Sequence, residues 1–310
     1  MPSFYSHGKL LITGEYLVLD GARALALPTV FGQDLVVGSI ASPQLLWHSL
    51  DHQGKAWLEV TFDLPSLRLL STTYTDAEAG AAGDLAEKLR ALLLAARQLQ
   101  PAFLSTDKGF SVTTHLSFPR NWGLGTSSTL VNNLANWAGI NPYELLAQSF
   151  GGSGYDLACA AHDGPILYER TGLNPRVSPV TFDPPFKDRL YFVHLNKKQN
   201  SQAGIARYEG CKGATEALKE QVNALTDALL TCTSLSAFES LLVAHEALIA
   251  KTLQLPPVQQ RLFSDYFGQT KSLGAWGGDF ILATGNEDSP AYFNAKGFYT
   301  VIPYQKMIRS

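Results

Sequence analysis

Asn121-Trp122-Gly123-Leu124-Gly125-Thr126-Ser127-Ser128-Thr129 sets two glycines and a run of hydroxyls directly before a segment of helical character that reaches Ala138. The first turn of a helix carries N–H groups with no intrahelical partner and a partial positive charge. Glycines let a polyphosphate approach that backbone, and hydroxyls beside it can reach a metal ion. The stretch predicts a phosphate site, although on its own it suits a tight turn closing a strand equally well. A P-loop is excluded as the cradle, because the Gly-x-x-x-x-Gly-Lys-Ser/Thr pattern is absent.

Other stretches stand in order around it. Near the N-terminus is Gly8-Lys9-Leu10-Leu11-Ile12-Thr13-Gly14-Glu15-Tyr16-Leu17-Val18-Leu19-Asp20-Gly21, and beyond the glycine turn comes Gly152-Ser153-Gly154-Tyr155-Asp156. Near the C-terminus Gly274-Ala275-Trp276-Gly277-Gly278-Asp279 precedes the apolar Phe280-Ile281-Leu282-Ala283. In order and character these motifs resemble the GHMP kinases, the family of galactokinase, homoserine kinase, mevalonate kinase and phosphomevalonate kinase, over residues 8–283. The resemblance implies an α+β fold of two domains, a nucleotide-binding domain like ribosomal S5 domain 2 over residues 1–178 and a ferredoxin-like domain over residues 179–310. Residues 174–185, where Pro175, Pro179, Pro184 and Pro185 fall close together, read as the connection. Strand and helix patterns alone reach only "two α+β domains". The resemblance further implies an ATP-dependent small-molecule kinase that uses ATP and Mg2+.

Phosphoryl transfer needs a polyphosphate cradle, a divalent metal held by oxygen, a cation near the transferring group, and a group that positions or deprotonates the acceptor. By the resemblance, Gly123, Leu124, Gly125, Thr126, Ser127 and Ser128 form the cradle, with Ser127 aligned on the metal-coordinating serine. Asp156 stands in the place of the catalytic aspartate, a carboxylate that orients the acceptor and takes its proton. A helix-capping aspartate is the alternative. Lys9 matches the motif-one lysine, placed to contact the acceptor, lower the pKa of the base or stabilise charge on the phosphoryl group.

Glu15, Ser153, Gly277, Gly278 and Asp279 fall in the same motifs and are expected beside the substrate, with a structural hydrogen-bonding role equally open to Glu15. Lys197 and Lys198 follow a predicted strand and are candidates for attracting a phosphorylated acceptor, a solvated surface pair being the alternative. Glu144 or Gln148 stands where some family members place a second metal ligand. The chain departs from the common pattern twice. Thr126-Ser127-Ser128 stands where Ser-Ser-Ala usually follows the second glycine, which keeps the loop rich in hydroxyls. Trp276 stands where glycine is usual, so its indole either faces the substrate or packs away from it.

Within the family, Gly14-Glu15-Tyr16, Gly152-Ser153-Gly154-Tyr155-Asp156-Leu157-Ala158 and Gly277-Gly278-Asp279 look most like phosphomevalonate kinases. The acceptor is then a phosphate of the isoprenoid (mevalonate) pathway and the product a diphosphate. Mevalonate kinase, which usually carries histidine after the glutamate, is the alternative within the class. Outside it stand diphosphomevalonate decarboxylase, a lyase, and a non-catalytic nucleotide- or ligand-binding protein. Trp276 argues for the latter, and Lys9, Ser127 and Asp156 together argue against it.

With 24 Lys and Arg against 27 Asp and Glu, no basic field points to nucleic acid or a membrane surface. ATP and a small-molecule acceptor are the expected partners, and a homodimer stays open. Apolar runs fall far short of the roughly 20 residues of a bilayer span, and the first residues lack a signal-peptide pattern, so the expected location is cytoplasmic. Cys159, Cys211 and Cys232 have no metal-type spacing and are expected to be reduced. Periodicity predicts helices over 84–99, 155–161 and 215–230, one opened by Asn141-Pro142, and one from a Ser236/Glu239 capping box to about 253. Strands are predicted over 10–19, 110–116, 190–195, 280–284 and 298–302.

Overall fold

The computed structural model describes residues 1–75, 82–197, 199, 201–211, 213 and 215–309. They form two compact units interleaved along the chain: Met1–Gly8, Phe31–Arg120 and Gly125–Ala161 make the first, and Lys9–Val30, Asn121–Leu124 and His162–Ser310 the second. Strands β1 (Ser3–Leu11) and β2 (Ala24–Ile40) each contribute residues to both.

The first unit continues through β3 (Gln44–Leu50), β4 (Ala56–Asp63), β5 (Leu69–Tyr74), α1 (Ala82–Leu99), β6 (Gly109–Leu116), α2 (Thr126–Ala138), α3 (Pro142–Ala147) and α4 (Tyr155–Ala161). Its strands lie in the order β5-β4-β3-β6-β2, with β3 and β6 parallel and the other neighbours antiparallel. Alternation at period two turns Leu45 and Trp47, Leu58, Val60 and Phe62, and Leu35 and Val37 into one core. Leu89, Leu92, Leu93 and Ala96 of α1, with Val131, Leu134 and Ala135 of α2, cover it. Burying each large aliphatic side chain stabilises the fold by roughly 1.5–3 kcal/mol.

Polar bonds then fix α2 against the strands. Thr129 Oγ1 donates to Gln33 Oε1 at 2.7 Å, Asn133 Nδ2 to the Gln33 carbonyl at 2.9 Å, and Ser6 Oγ to Asn133 Oδ1 at 2.7 Å. All are buried, where an unmade hydrogen bond is expensive, so the helix behind the glycine turn has one rotation and one height.

The second unit contains β7 (Ile166–Glu169), β8 (Arg176–Pro179), β9 (Leu190–His194), α5 (Ser201–Cys211), α6 (Thr215–Leu230), α7 (Leu235–Leu253), α8 (Val258–Leu262), β10 (Thr270–Ser272), β11 (Phe280–Thr284), α9 (Ser289–Ala295), β12 (Val301–Pro303) and α10 (Tyr304–Met307). Its four-stranded antiparallel sheet has the order β10-β11-β9-β12. With helices between β9 and β10 and α9 between β11 and β12, the chain traces the β-α-β-β-α-β path of a ferredoxin-like unit. The expected α+β class is the class observed. Residues 174–185, read as a connection, include β8, which pairs with β7, itself paired with the first half of β2.

Two local expectations are corrected. The strand predicted over 10–19 ends at Leu11, because Gly14, at φ 88°, lies so close to Ala24 that an added Cβ would come within 2.8 Å of the alanine methyl. The chain turns there into a 3-10 segment, Leu17–Asp20, which buries the apolar Leu17 and Val18 that suggested a strand. Helix α7 has Ser234, not Ser236, at its N-cap, and Glu239 accepts a hydrogen bond from Thr284 Oγ1 at 2.6 Å instead of closing a capping box.

Candidate active site

In the first unit, Gly125 is the N-cap of α2 at φ 94°, a left-handed conformation that disfavours any residue with a Cβ, and no side chain caps the helix. The N–H groups of Thr126, Ser127 and Ser128 make no hydrogen bond among the described residues. Ser128 Oγ donates inward to the Gly125 carbonyl at 2.8 Å and Thr129 is occupied by Gln33, whereas Ser127 is exposed. A helix N-terminus with free donors, a glycine lead and one outward hydroxyl suits an anion.

Asp156 is the second residue of α4 and is half-buried, with no hydrogen bond or ion pair to its carboxylate among the described residues. The Leu157 and Ala158 N–H groups donate to the Gly154 carbonyl at 3.1 and 3.2 Å, which makes Gly154 the start of the helix. Asp156 is therefore not the capping residue. Ser153 lies half-buried two residues before the helix.

In the second unit three of the motifs meet. Lys9 Nζ donates to the Gly123 carbonyl at 2.9 Å, and the Lys9 N–H donates to the Leu124 carbonyl at 3.0 Å. The Asp279 carboxylate lies against Gly123 so closely that a Cβ there would come within 2.2 Å of Asp279 Cγ. Asp279, itself at φ 54°, donates its N–H to the Lys197 carbonyl at 2.6 Å, and its Oδ1 accepts from the Gln199 N–H at 3.2 Å. Gly278 passes the same loop, where an added Cβ would stand 2.7 Å from the Lys197 carbonyl oxygen. Lys9, Trp122, Gly123, Gly274, Asp279 and Phe280 help line a depression of about 10 Å³, the space of a single water. The Lys197 side chain is exposed, and Lys198 lies outside the described residues.

Glu15 is fully buried, ion-paired with Lys271. Its carboxylate is taken up inside the unit, which favours the structural of its two expected roles. His245 Nε2 lies 3.4 Å from the second carboxylate oxygen and accepts from the Gly14 N–H at 3.2 Å, so its proton is on Nδ1 and the ring is neutral. Burial pushes the Glu15 carboxyl up to about 7 against the pull of Lys271, and pushes His245 well below 6.5. Glu246 completes the cluster, accepting from Ser272 N–H and Oγ at 3.1 and 2.9 Å. Lys271, His245 and Glu246 belong to no motif, and no pattern in the sequence announces them. Of the two orientations expected for Trp276, the packed one is found: its indole joins Tyr16, Tyr208, Ile249 and Leu253 in a core, and its backbone N–H donates to Tyr16 Oη at 3.2 Å.

The cluster sets a pH dependence. His245 has a folded pKa below its unfolded value of 6.5, so the unfolded chain binds the extra proton and stability is lost as pH falls below about 6.5. One proton gives at most about 1.4 kcal/mol per pH unit. Glu15 has the opposite sign, its folded pKa being raised from 4.5 to about 7, so its contribution falls as pH rises through that range. Comparison with His245→Gln separates the two. Urea unfolding should show the wild type losing more stability than the variant between pH 7 and pH 5, and equal losses would contradict a buried neutral histidine.

No protein-family model and no curated protein sequence matches the chain. Solved structures do. A mevalonate kinase matches over 100% of both chains with TM-score 0.68 at 13% identity. Streptococcus pneumoniae phosphomevalonate kinase in complex with phosphomevalonate and AMPPNP matches over 96% of each chain with TM-score 0.65 at 16% identity. Lactococcus lactis galactokinase complexed with galactose matches over 95% of this chain and 88% of that one, with TM-score 0.62 at 15% identity. The chain has the fold of the GHMP kinases. Kinases with different acceptors match it about equally, so the likeness is one of fold and does not select an acceptor. Among the described residues no helix is long and apolar enough to cross a membrane.

Proposed function

We propose that this chain is a GHMP-family kinase that transfers the terminal phosphoryl group of ATP to phosphomevalonate or a related acid of isoprenoid biosynthesis. The observation that carries the reading is the uncapped, glycine-led N-terminus of α2 with Ser127 outward. It fits a metal-bound nucleotide. Ser127, the exposed hydroxyl of the turn, would hold Mg2+ together with phosphate oxygens of the nucleotide. When bound, MgATP supplies the phosphoryl group and neutralises charge on it. Asp156, by its place in the motif, orients the acceptor and takes its proton, and Lys9 contributes positive charge. The division at residue 178, a cytoplasmic location and a homodimer belong to the same proposal.

Mevalonate kinase is the second reading: a mevalonate kinase shares the fold over the full length of both chains, and the fold does not choose between the two acceptors. Steady-state kinetics with phosphomevalonate and mevalonate side by side decides between them. Faster turnover of mevalonate would replace the phosphomevalonate assignment. In the same assay Lys9→Met is expected to lower turnover by about 10²-fold, the scale of losing one charge-stabilising donor. Unchanged turnover would leave Lys9 as a strut for the Gly123 carbonyl.

A further inference from the structure

The turn at residues 274–279 leaves two donors without acceptors among the described residues. The N–H groups of Gly277, at φ 99°, and of Gly278, which is buried, make no hydrogen bond among the described residues. Their neighbours are engaged, Trp276 N–H with Tyr16 Oη and Asp279 N–H with the Lys197 carbonyl. Arg261, near the end of α8, is exposed and makes no side-chain hydrogen bond or ion pair among the described residues. A Cβ built on Gly277 would stand 3.7 Å from Arg261 Nη1 and 3.9 Å from Gln199 Nε2.

A guanidinium and a side-chain amide thus border the open side of Gly277, in the same turn as two backbone N–H groups without an acceptor among the described residues, all in the second unit. A guanidinium is always charged and offers five donors in a planar fork with no acceptor of its own. Successive backbone N–H groups in a turn of this kind form an anion-binding concavity. The carboxylate of the adjoining Asp279 is held by the Gln199 N–H and lies against Gly123, while the exposed Lys197 adds positive charge to the same loop.

We propose that Arg261, with the N–H groups of Gly277 and Gly278 and the Gln199 amide, binds an anionic group of the phosphoryl acceptor, so that the acceptor is a phosphate ester or carboxylate and not a neutral sugar. This rests on the kinase reading. The test is calorimetric titration of the full chain, wild type and Arg261→Gln, with phosphomevalonate, mevalonate and galactose in turn. One of the two acids should bind the wild type, and Arg261→Gln should weaken that binding by about 10-fold or more, the scale of a hydrogen bond to a charged group, with MgATP affinity unchanged. A loss confined to phosphomevalonate assigns the phosphate, and a loss shared by both acids assigns the carboxylate. Unchanged acid affinity in Arg261→Gln overturns the inference, as does a wild type that binds only galactose or none of the three. MgATP affinity in the same samples tests the kinase reading separately, since a wild type unable to bind it sinks that reading whatever Arg261 does.

Discussion

Asp156→Asn is expected to lower turnover by about 10²-fold or more while leaving ATP affinity and thermal unfolding near wild type. The expectation joins two observations. The carboxylate makes no hydrogen bond or ion pair among the described residues, and the helix start belongs to Gly154, so no fold-stabilising bond is lost when the charge is removed. Asparagine keeps the shape and loses the ability to take a proton. Steady-state turnover, with calorimetry of ATP binding and a melting curve as controls, checks this. Turnover near wild type would remove Asp156 from the reaction.

Gly125→Val is expected to abolish measurable MgATP binding. The residue sits at φ 94°, where a β-branched side chain is strained by roughly 1–3 kcal/mol, and it leads directly into the N–H groups of α2 that make no hydrogen bond among the described residues. Strain alone could unfold the turn, so Ser127→Ala is the companion variant. It keeps the backbone and loses only the outward hydroxyl, and it should raise the magnesium concentration needed for half-maximal activity. Unchanged nucleotide affinity in a folded Gly125→Val protein would displace the cradle from this turn.

The parts of this fold that could be read from sequence are those whose signals are local. Helix α6 (Thr215–Leu230), helix α4 (Tyr155–Ala161) and strand β11 (Phe280–Thr284) fall where periodicity and breakers put them, and Asn141 caps α3 by accepting from the Tyr143 N–H. Long-range partners left no such trace. Glu15 meets Lys271 across 256 positions, and the Tyr16 hydroxyl meets Trp276 across 260, so neither the burial of Glu15 nor the inward turn of the indole follows from any short window. The early run Leu17-Val18-Leu19 misled for a related reason: its apolar character reports burial, and only the tight passage of Gly14 past Ala24 shows that the burial is in a 3-10 turn.

For the candidate site the structure adds proximity: Lys9, Gly123 and Asp279, singled out by motif order, lie together, while their roles rest on the resemblance. Arg261 stands in no motif. Its signal is spatial, a guanidinium without a hydrogen bond or ion pair among the described residues, beside a glycine sixteen positions later in the chain.

ADP release by the purified protein with ATP and magnesium, across phosphomevalonate, mevalonate, homoserine and galactose, decides whether the chain is a small-molecule kinase. Release should depend on the acceptor, be fastest with phosphomevalonate and fall with Asp156→Asn. Absence of acceptor-dependent release with all four, from a protein that also fails to bind MgATP, would contradict the kinase reading.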